Sequence, residues 1–322
     1  MKKNAIGIDL GGTKIALGRV DEEGALQELV RYRTRTQDGY GAVIAQVVEG
    51  VRRLAKGAET RVSGIGIGVA GQVDPASGAV IFGPNLDWHD VPLRKDLEKA
   101  CAMPVVVTND VRAATWGEWL FGAGRGVRDL VCVFVGTGIG GGIVCGAKLL
   151  EGCSNTAGEI GHIRVDVNGP LCNCGARGCM EALAGGWGLA RSAGQSVAAD
   201  PVRGRKILEM AGGNLQNISA KIVVQAWREG DPLALGVIEA AMRALGAGVA
   251  TLVNAINPCM IILGGGIAEG MPELLSRVES EVRGSALPAA TSRLVFRAAE
   301  LGNQAGIIGA AALAMKCVGV SV

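Results

Sequence analysis

Residues 4–20, NAIGIDLGGTKIALGRV, decide the fold. Two apolar runs stand on either side of the polar, glycine-rich tetrapeptide Gly11-Gly12-Thr13-Lys14, and this arrangement is typical of a β-hairpin. A second stretch has the same design, because LVCVFVG (130–136) is followed by TGIGGG and then by IVCGAKLLEG. The sequence therefore predicts one glycine-tipped hairpin that is used twice. This architectural repeat favours two α/β lobes that face each other across a cleft.

Helical and extended patterns alternate along the rest of the chain. Apolar spacing predicts a helix over 42–56, and the cap and first-turn proline of Asp231-Pro232 predict a helix that ends near Asn257-Pro258. The other predicted elements are strands over 61–71 and 104–108, a helical segment after Asn109-Asp110, a strand over 260–266, a helix over 271–283, a strand over 293–301 and a helix over 305–316. We divide the chain into a small α/β lobe, 1–115 plus 302–322, and a large α/β lobe, 116–301.

Charge and hydropathy restrict the possible partners of this protein. The 32 basic and 30 acidic side chains give a net charge of +2, which makes no general case for nucleic acid or an acidic membrane surface as a partner. The N-terminal segment MKKNAIGIDLGG is too short in its apolar part for a signal peptide. No uninterrupted apolar run approaches the roughly 18 residues that a spanning helix needs. The sequence predicts a soluble, cytoplasmic protein.

Cysteine usage separates into two groups. Six of the nine cysteines are scattered, mostly among apolar neighbours, and are expected to be small buried hydrophobic residues in a reducing compartment. The other three lie close to a histidine in 158–181, GEIGHIRVDVNGPLCNCGARGCME, where they form a set consisting of His162, Cys172, Cys174 and Cys179. Four such ligands satisfy the closed tetrahedral geometry of structural zinc, and thiolates select zinc over magnesium. A disulfide and free thiols stay open as alternatives.

Glycine-rich tips also suggest how the protein binds phosphate. The chain has no Gly-Lys pair and therefore no Walker A motif, and its two GxGxxG matches do not open helices, as a dinucleotide fold requires. Backbone N–H groups at a glycine-rich tip can instead converge on phosphate oxygens. Thr13 and Thr137 would add hydroxyl donors, and Asp9 would hold magnesium directly or through water. A plain turn stays open as the alternative for each tip.

Motifs along nearly the whole chain occur in one characteristic order. They are IDLGGTK, GVAGQVD, PNLDW (84–88), NDVRAATWGE (109–118), GTGIGGG, GEIGH, CxCGxxGCxE, ILGGG and AGIIGAAALA. As a set they resemble the ROK family of sugar kinases and repressors, within the actin-like ATPase superfamily. The resemblance implies a two-lobed actin-like, ribonuclease H-like α/β fold. The PNLDWHD segment and the chain length look most like the bacterial ATP-dependent glucokinases of that family.

The resemblance implies an ATP:hexose 6-phosphotransferase that uses Mg-ATP and, first among sugars, glucose, with Asp110 as general base. N-acetylglucosamine, N-acetylmannosamine and fructose are the alternative acceptors, and polyphosphate is an alternative donor. The implied sugar-binding residues are Asn85, Asn109, Asp110, Glu159, His162 and Glu181. The implied nucleotide-binding residues are Asp9, Gly11, Gly12, Thr13, Lys14, Gly136, Thr137, Gly138, Gly265 and Gly266. The zinc ligands carry over to His162, Cys172, Cys174 and Cys179, and the family leads us to expect a homodimer or homotetramer.

The residue types agree with this chemistry. Asp110 follows a buried strand at a helix start, where Asn109 can cap the helix while Asp110 faces the cleft; a capping role for Asp110 itself is the alternative. Glu159 and Glu181 lie three residues before and two after zinc ligands, so the metal is expected to order these acids for one sugar. One nitrogen of His162 would bind zinc while the other meets a sugar hydroxyl. Ordinary surface positions stay open for both glutamates.

Two residues depart from the family pattern, and two other functions compete with a kinase. Arg112 stands where a small or polar residue is common, and Ala70 stands where GxPG is frequent, which weakens the prediction of sugar selectivity. A non-catalytic, sugar-sensing regulator of the same family would carry an N-terminal helix-turn-helix segment, for which a hairpin starting by residue 4 is expected to leave no room. An NAD-dependent oxidoreductase rests on the GxGxxG matches alone.

Overall fold

The computed structural model describes residues 3–56 and 62–320. Their contacts divide the chain into two compact units, each built from separate stretches of sequence. Unit 1 contains the described residues of 1–127, 142–158 and 300–322, and unit 2 contains 128–141 and 159–299. The chain therefore leaves unit 1 and returns to it twice.

The bounds of the regular elements are as follows. The strands are β1 Asn4–Leu10, β2 Lys14–Asp21, β3 Leu26–Arg33, β4 Val62–Val69, β5 Gln72–Val73, β6 Val80–Gly83, β7 Trp88–Val91, β8 Val105–Asn109, β9 Leu130–Val135, β10 Ile139–Cys145, β11 Lys148–Leu149, β12 Met260–Gly264 and β13 Val295–Ala298. The helices are α1 Tyr40–Lys56, α2 Leu93–Cys101, α3 Asp110–Phe121, α4 Met180–Ala184, α5 Gly186–Ala199, α6 Arg205–Met210, α7 Ala220–Arg228, α8 Pro232–Ile256, α9 Gly266–Gly270, α10 Glu273–Ser285, α11 Pro288–Thr291 and α12 Ala305–Cys317.

The sheet of unit 1 has the strand order β3-β2-β1-β4-β8. The predicted hairpin over 4–20 is confirmed, because β1 and β2 pair antiparallel with Leu10 opposite Ile15. β4 and β8 continue the sheet in parallel with β1. Arg61, the first residue of the strand predicted over 61–71, lies outside the described residues.

The sheet of unit 2 repeats this topology. In it β10 pairs with β9, and β12 and β13 follow in parallel. The far end of β10 belongs to unit 1, where Val144 pairs with Leu149 of β11. Each sheet thus has five strands, of which three follow one another in sequence and two more run parallel to the first strand of the hairpin. The predicted architectural repeat is confirmed at the level of strand order and direction.

Most other predicted elements are confirmed with small changes at their ends. The helix predicted from Asp231-Pro232 is α8, in which the Asp231 carboxylate accepts a hydrogen bond from the Ala234 N–H at 2.8 Å. The strand predicted over 293–301 is shorter, because β13 spans Val295–Ala298. Several elements had no prediction, namely β3, the small sheet β5-β6-β7, α2, the helices α4 to α7, α9 and α11. The first GxGxxG match begins in β4 and ends at Gly71, directly before β5, so that motif opens no helix, as predicted.

Helix α12 lies against the sheet and against α3 at positions where side chains are absent. An ideal Cβ on Gly7 would overlap the Ile307 carbonyl oxygen, and one on Gly66 would overlap that of Ala310. A Cβ on Gly309 would overlap the carbonyl oxygen of Ala113 in α3. Glycine is therefore required on both sides of α12 for this backbone-to-backbone approach.

A buried carboxylate ties α3 to the segment that returns the chain to unit 1. Glu118 has no exposed surface and accepts hydrogen bonds from the backbone N–H groups of Ala123 at 3.1 Å, Glu300 at 3.1 Å and Leu301 at 2.8 Å. Since α3 runs without a break through residue 115, the compact units do not divide there. The division into lobes 1–115 plus 302–322 and 116–301 stays a prediction.

Helix α8 is long and apolar enough, by length and composition, to cross a membrane. Glu239 and Arg243 interrupt the apolar residues of α8, so the helix contains no uninterrupted apolar run of spanning length. In the structure 56% of its most apolar 18-residue window is buried, and the helix packs against α4, α7 and α10 of unit 2. This is the position of a core helix.

We expect Gly309→Ala to lower the free energy of unfolding by about 2–3 kcal/mol, because its Cβ has no space against α3. Gly41→Ala in α1 of the same unit is the matched control, since its Cβ would meet no heavy atom within 4 Å. That substitution should raise the free energy of unfolding by about 0.5 kcal/mol, because alanine favours helix. Urea unfolding of both variants measures the difference, and equal stabilities would contradict the packing argument.

Candidate functional site

The tip of the first hairpin is held by the chain on both sides. The Gly11 N–H donates to the Lys14 carbonyl oxygen at 3.0 Å, and the Gly11 carbonyl oxygen accepts from Thr34 Oγ1 at 2.7 Å. An ideal Cβ on Gly12 would overlap the carbonyl oxygen of Asn85, so these two backbones touch. The structure therefore brings Asn85 to the tip, and it uses the Gly11 N–H within the hairpin.

Asp9 lies at the end of β1, directly before this tip. Burial raises the pKa of its carboxyl group, and the neighbouring Lys14 ammonium offsets part of that increase. A Cβ on Gly306 would come within 3.6 Å of the Asp9 Cγ, so the carboxyl group lies beside the first turn of α12. A cation at this carboxylate would favour its ionised form, and the residue type and position fit a magnesium ligand.

Asn109 and Asp110 have separate tasks at the start of α3. The Asn109 Oδ1 accepts from the N–H groups of Val111 at 3.0 Å and Arg112 at 3.1 Å, which makes Asn109 the helix cap. Its Nδ2 donates to the Gly71 carbonyl oxygen at 3.3 Å. Asp110 is the first helical residue, and its Oδ1 accepts from the Val111 N–H at 2.9 Å. The expected capping by Asn109 is confirmed, so capping does not require Asp110.

Arg112, which the sequence analysis treated only as a departure, has a defined structural role in unit 1. Its side chain is buried and donates to the Asn155 side-chain oxygen, to the Asn155 carbonyl oxygen at 2.9 Å and to the Ala157 carbonyl oxygen at 3.2 Å. Asn155 has φ of 58° and donates to the Val73 carbonyl oxygen at 2.9 Å. Arg112 therefore fixes the segment that leads to Glu159. The unusual arginine was the signal in the sequence, but no sequence pattern indicated its partner Asn155, 43 positions away.

The tip of the second hairpin is held inside unit 2. The Gly136 N–H donates to the Gly138 carbonyl oxygen at 2.9 Å. The N–H groups of Gly186 and Trp187, at the start of α5, donate to the carbonyl oxygens of Gly136 at 2.9 Å and Thr137 at 3.0 Å. The backbone carbonyls of this tip thus face α5, which fixes its orientation.

Glu181 contacts the same tip with its side chain. Its Oε2 accepts from the Ile139 N–H at 2.9 Å, and its Oε1 accepts from Trp187 Nε1–H at 3.2 Å. The residue is half-buried. Glu181 is therefore not an ordinary surface residue, which removes one of the alternatives left open by the sequence.

A cavity of about 770 Å³ lies beside this tip in unit 2. Its wall includes Thr137, Trp187, Lys221, Gln225, Gly266 and Ile267. Gly265 has φ of 91° and packs against the end of β9, where a Cβ would come within 2.6 Å of the Val135 carbonyl oxygen. The structure thus brings the GGG turn and the second hairpin tip to one cavity, as large as typical small-molecule sites.

The four predicted metal ligands come together in unit 2, and their ligand atoms all lie within 4.8 Å of one another. The Sγ of Cys172 lies 3.8 Å from His162 Nδ1, and the Sγ atoms of Cys174 and Cys179 lie 3.6 Å apart. A tetrahedron with zinc–sulfur bonds of about 2.3 Å has edges of about 3.8 Å, so the spacing fits this metal. The sulfur–sulfur distance is too long for a disulfide.

The electrostatics of the cluster also favour a cation. Burial, with hydrogen bonds to the neighbouring thiols, raises the pKa of Cys179 to about 12, and burial raises that of Cys172. A hydrogen bond from the Ala176 N–H lowers the pKa of Cys174. A bound metal ion deprotonates coordinating thiols, so this crowded set fits zinc. His162 Nε2, the nitrogen turned away from Cys172, lies 4.0 Å from Glu159 Oε2.

The six scattered cysteines do not form a uniform group. Cys132 is buried in β9, and Cys101 is half-buried. The prediction of small buried residues is wrong for the exposed ones, which lie at element ends or in loops and are Cys145, Cys153, Cys259 and Cys317. Their apolar neighbours in sequence did not reveal these positions.

Comparisons with known proteins agree with one another. The sequence profile of the ROK family matches residues 5–317. The glucokinase of Streptomyces coelicolor is 41% identical over 317 residues, which cover 97% of both chains. The xylose repressor of Caldicellulosiruptor bescii is 32% identical over 254 residues, which cover 79% of this chain and 62% of the repressor.

A solved structure is similar over nearly the whole chain. It is a ROK family glucokinase from Streptomyces griseus in complex with glucose and AMPPNP, with a TM-score of 0.84 and 38% identity. The match covers 97% of this chain and 99% of that chain. It confirms the predicted fold class, the two-lobed α/β fold of actin-like ATPases. Together with the family profile, it establishes that this chain belongs to the ROK family.

Proposed function

We propose that this protein is an ATP-dependent sugar kinase that phosphorylates the 6-hydroxyl of glucose. The observation that carries the proposal is the junction of β8 and α3, where Asn109 caps the helix and Asp110 follows as its first residue. The similarity to glucokinases over the full chain supports glucose as the acceptor. N-acetylglucosamine, N-acetylmannosamine and fructose are the alternative acceptors.

Asp110 acts as the general base in this proposal. Its carboxylate accepts the proton of the 6-hydroxyl while that oxygen attacks the γ-phosphorus of ATP, and the bond from phosphorus to the β–γ bridging oxygen breaks. The products are glucose 6-phosphate and ADP. The rigid junction of β8 and α3 supports this role, since a base must be fixed relative to its hydroxyl.

Each unit contains residues that we assign to substrate binding. In unit 1 we assign phosphate binding to Gly11, Gly12, Thr13 and Lys14, and sugar binding to Asn85, Asn109 and Asp110. In unit 2 we assign phosphate binding to Gly136, Thr137 and Gly138, adenosine to the cavity beside Gly265 and Gly266, and sugar binding to Glu159, His162 and Glu181. Asp9 would hold magnesium, which when bound would neutralise part of the negative charge of the phosphates.

The cysteine cluster has a structural role in this proposal. His162, Cys172, Cys174 and Cys179 would hold zinc in a closed set with no position for a catalytic water. Gly175 and Gly178 have φ of 88° and 71°, so the loop that carries the ligands is conformationally permissive. Zinc would order Glu159 and His162 for sugar binding. The family further leads us to propose a cytoplasmic homodimer or homotetramer.

A sugar-sensing regulator is the second candidate, because a xylose repressor shares 32% identity with this chain. Both candidates would bind sugar, so binding alone does not separate them.

Turnover separates the kinase from the regulator. We expect ADP release with magnesium and ATP, and we expect kcat/KM to be highest for glucose among the four sugars. Polyphosphate in place of ATP tests the alternative donor. Absence of turnover on every sugar by the folded, zinc-loaded protein would favour the regulator.

We expect Asp110→Ala to lower kcat by about 10²–10⁴-fold, because it removes the proton acceptor. Glucose affinity, measured by isothermal titration calorimetry, should change by less than kcat does, since Asn85, Asn109 and the residues of unit 2 remain. Thermal unfolding is the folding control, and Asn109 keeps the cap of α3. Retention of full activity would remove Asp110 from the role of base.

We expect Cys174→Ser to lose bound zinc, measured by elemental analysis, and to raise the KM for glucose. Cys259→Ser is the matched control, because Cys259 is also exposed and belongs to unit 2 but lies outside the cluster. The control should keep both zinc content and KM. Unchanged glucose KM in zinc-free Cys174→Ser protein would contradict the ordering role of the metal.

A further inference from the structure

We infer that Glu181 is a positioning residue for the phosphate-binding tip Gly136–Gly141, and that it couples the metal cluster to nucleotide binding. The inference rests on the proposed function, in which Glu181 otherwise only binds sugar. The metal cluster would then affect nucleotide binding as well as sugar binding.

Both carboxylate oxygens of Glu181 already bind donors of unit 2. Oε2 accepts from the Ile139 N–H, 2.9 Å away, in the second hairpin, and Oε1 accepts from the Trp187 indole N–H, 3.2 Å away, in α5. The carboxylate thus connects the two segments that border the 770 Å³ cavity. Hydrogen bonds to a charged acceptor are the stronger kind, so they restrain the tip.

The backbone leaves little freedom at this contact. A Cβ on Gly138 would overlap Glu181 Oε2, and a Cβ on Gly185 would come within 3.3 Å of Gly138 Cα. The Gly186 N–H donates to the Gly136 carbonyl oxygen at 2.9 Å. A displacement of α4 and its following glycines therefore displaces the tip as well.

Helix α4 also begins at the metal cluster. Its N-terminal cap is Cys179, one of the four ligands, and Glu181 is its second residue. Met180 is fully buried, and its N–H donates to the Ile163 carbonyl oxygen at 2.8 Å, next to the ligand His162. A helix of five residues is too short to be stable alone. Its placement therefore depends on its neighbours, which include the ligand Cys179, Ile163 and helix α8.

The two proposed roles of Glu181 are compatible. A carboxylate has about four lone-pair directions, and the hydrogen bonds from Ile139 and Trp187 use one on each oxygen. A sugar hydroxyl can donate to the remaining ones. The same carboxylate would then contact the acceptor sugar and brace the loop that holds the donor phosphates.

The test measures the loop and nucleotide binding without turnover. Hydrogen exchange of a peptide covering 134–142 reports the Ile139 amide, and titration with AMPPNP reports nucleotide affinity. We expect Glu181→Ala, and wild-type protein stripped of zinc by a chelator, to show faster exchange there and about 10-fold weaker AMPPNP binding. Glu181→Gln keeps one acceptor oxygen, so its exchange rate over 134–142 and its AMPPNP affinity should change less than those of Glu181→Ala.

Glu159→Ala is the matched control, because Glu159 is the other acid beside the cluster and its Oε2 lies 4.0 Å from His162 Nε2. It should weaken glucose binding but leave exchange over 134–142 and AMPPNP affinity unchanged. If Glu181→Ala does not fold, Trp187→Phe removes the indole N–H alone and should still raise exchange at Ile139. Because Trp187 also borders the cavity, exchange rather than affinity is its readout.

Unchanged exchange over 134–142 in Glu181→Ala and in the zinc-stripped protein would overturn the inference while leaving the kinase proposal intact. Failure of the proposed function can be distinguished from failure of the inference, because hydrogen exchange is measured without nucleotide. Wild-type protein that binds no AMPPNP but shows faster exchange after zinc removal would overturn the proposed function and the coupling to nucleotide, and would keep only the positioning of the tip by Glu181.

Discussion

The contact of α12 with the first sheet and with α3 is the constraint on which unit 1 depends. Gly7 and Gly66 on the sheet and Gly309 on the helix leave no room for side chains, so backbone meets backbone. The chain reaches this contact only after it has passed through the whole of unit 2. Unit 1 is therefore completed by its last segment, and α3, which begins with the proposed base, gains its final support there.

The support of α3 is distributed over its whole length. Asn109 satisfies the first N–H groups of the helix, and Glu118 binds backbone N–H groups at its far end, including those of Glu300 and Leu301. A buried carboxylate with three backbone donors resists displacement, because any shift would leave charge or donors unsatisfied in the interior. This arrangement holds both ends of the helix that begins with Asp110, whose own Oδ1 also accepts from the Val111 N–H.

Local signals in the sequence were sufficient for the hairpins, α8 and the metal ligands. Each depends on residues that are close in sequence: a glycine tip between apolar runs, a cap followed by proline, and three cysteines near one histidine. The partners of Arg112, Glu118 and Glu181 lie 43, 182 and 42 positions away, and no local pattern specifies such pairs. Helices α4 and α6 have five and six residues, too few to show a helical period, and α5 is rich in glycine and alanine, whereas α7 does have a clear apolar face in its sequence.

The two hairpin tips share one design but are restrained in different ways. The first is held by its own turn and by Thr34, which directly follows β3 of the same sheet. The second is held by Glu181 and α5, which follow directly from a metal ligand. A sheet neighbour forms with the fold, whereas an element anchored by a metal depends on the metal being bound. From this inference we therefore expect two similar glycine-rich tips to differ, the first being ordered by folding alone and the second depending on the metal cluster.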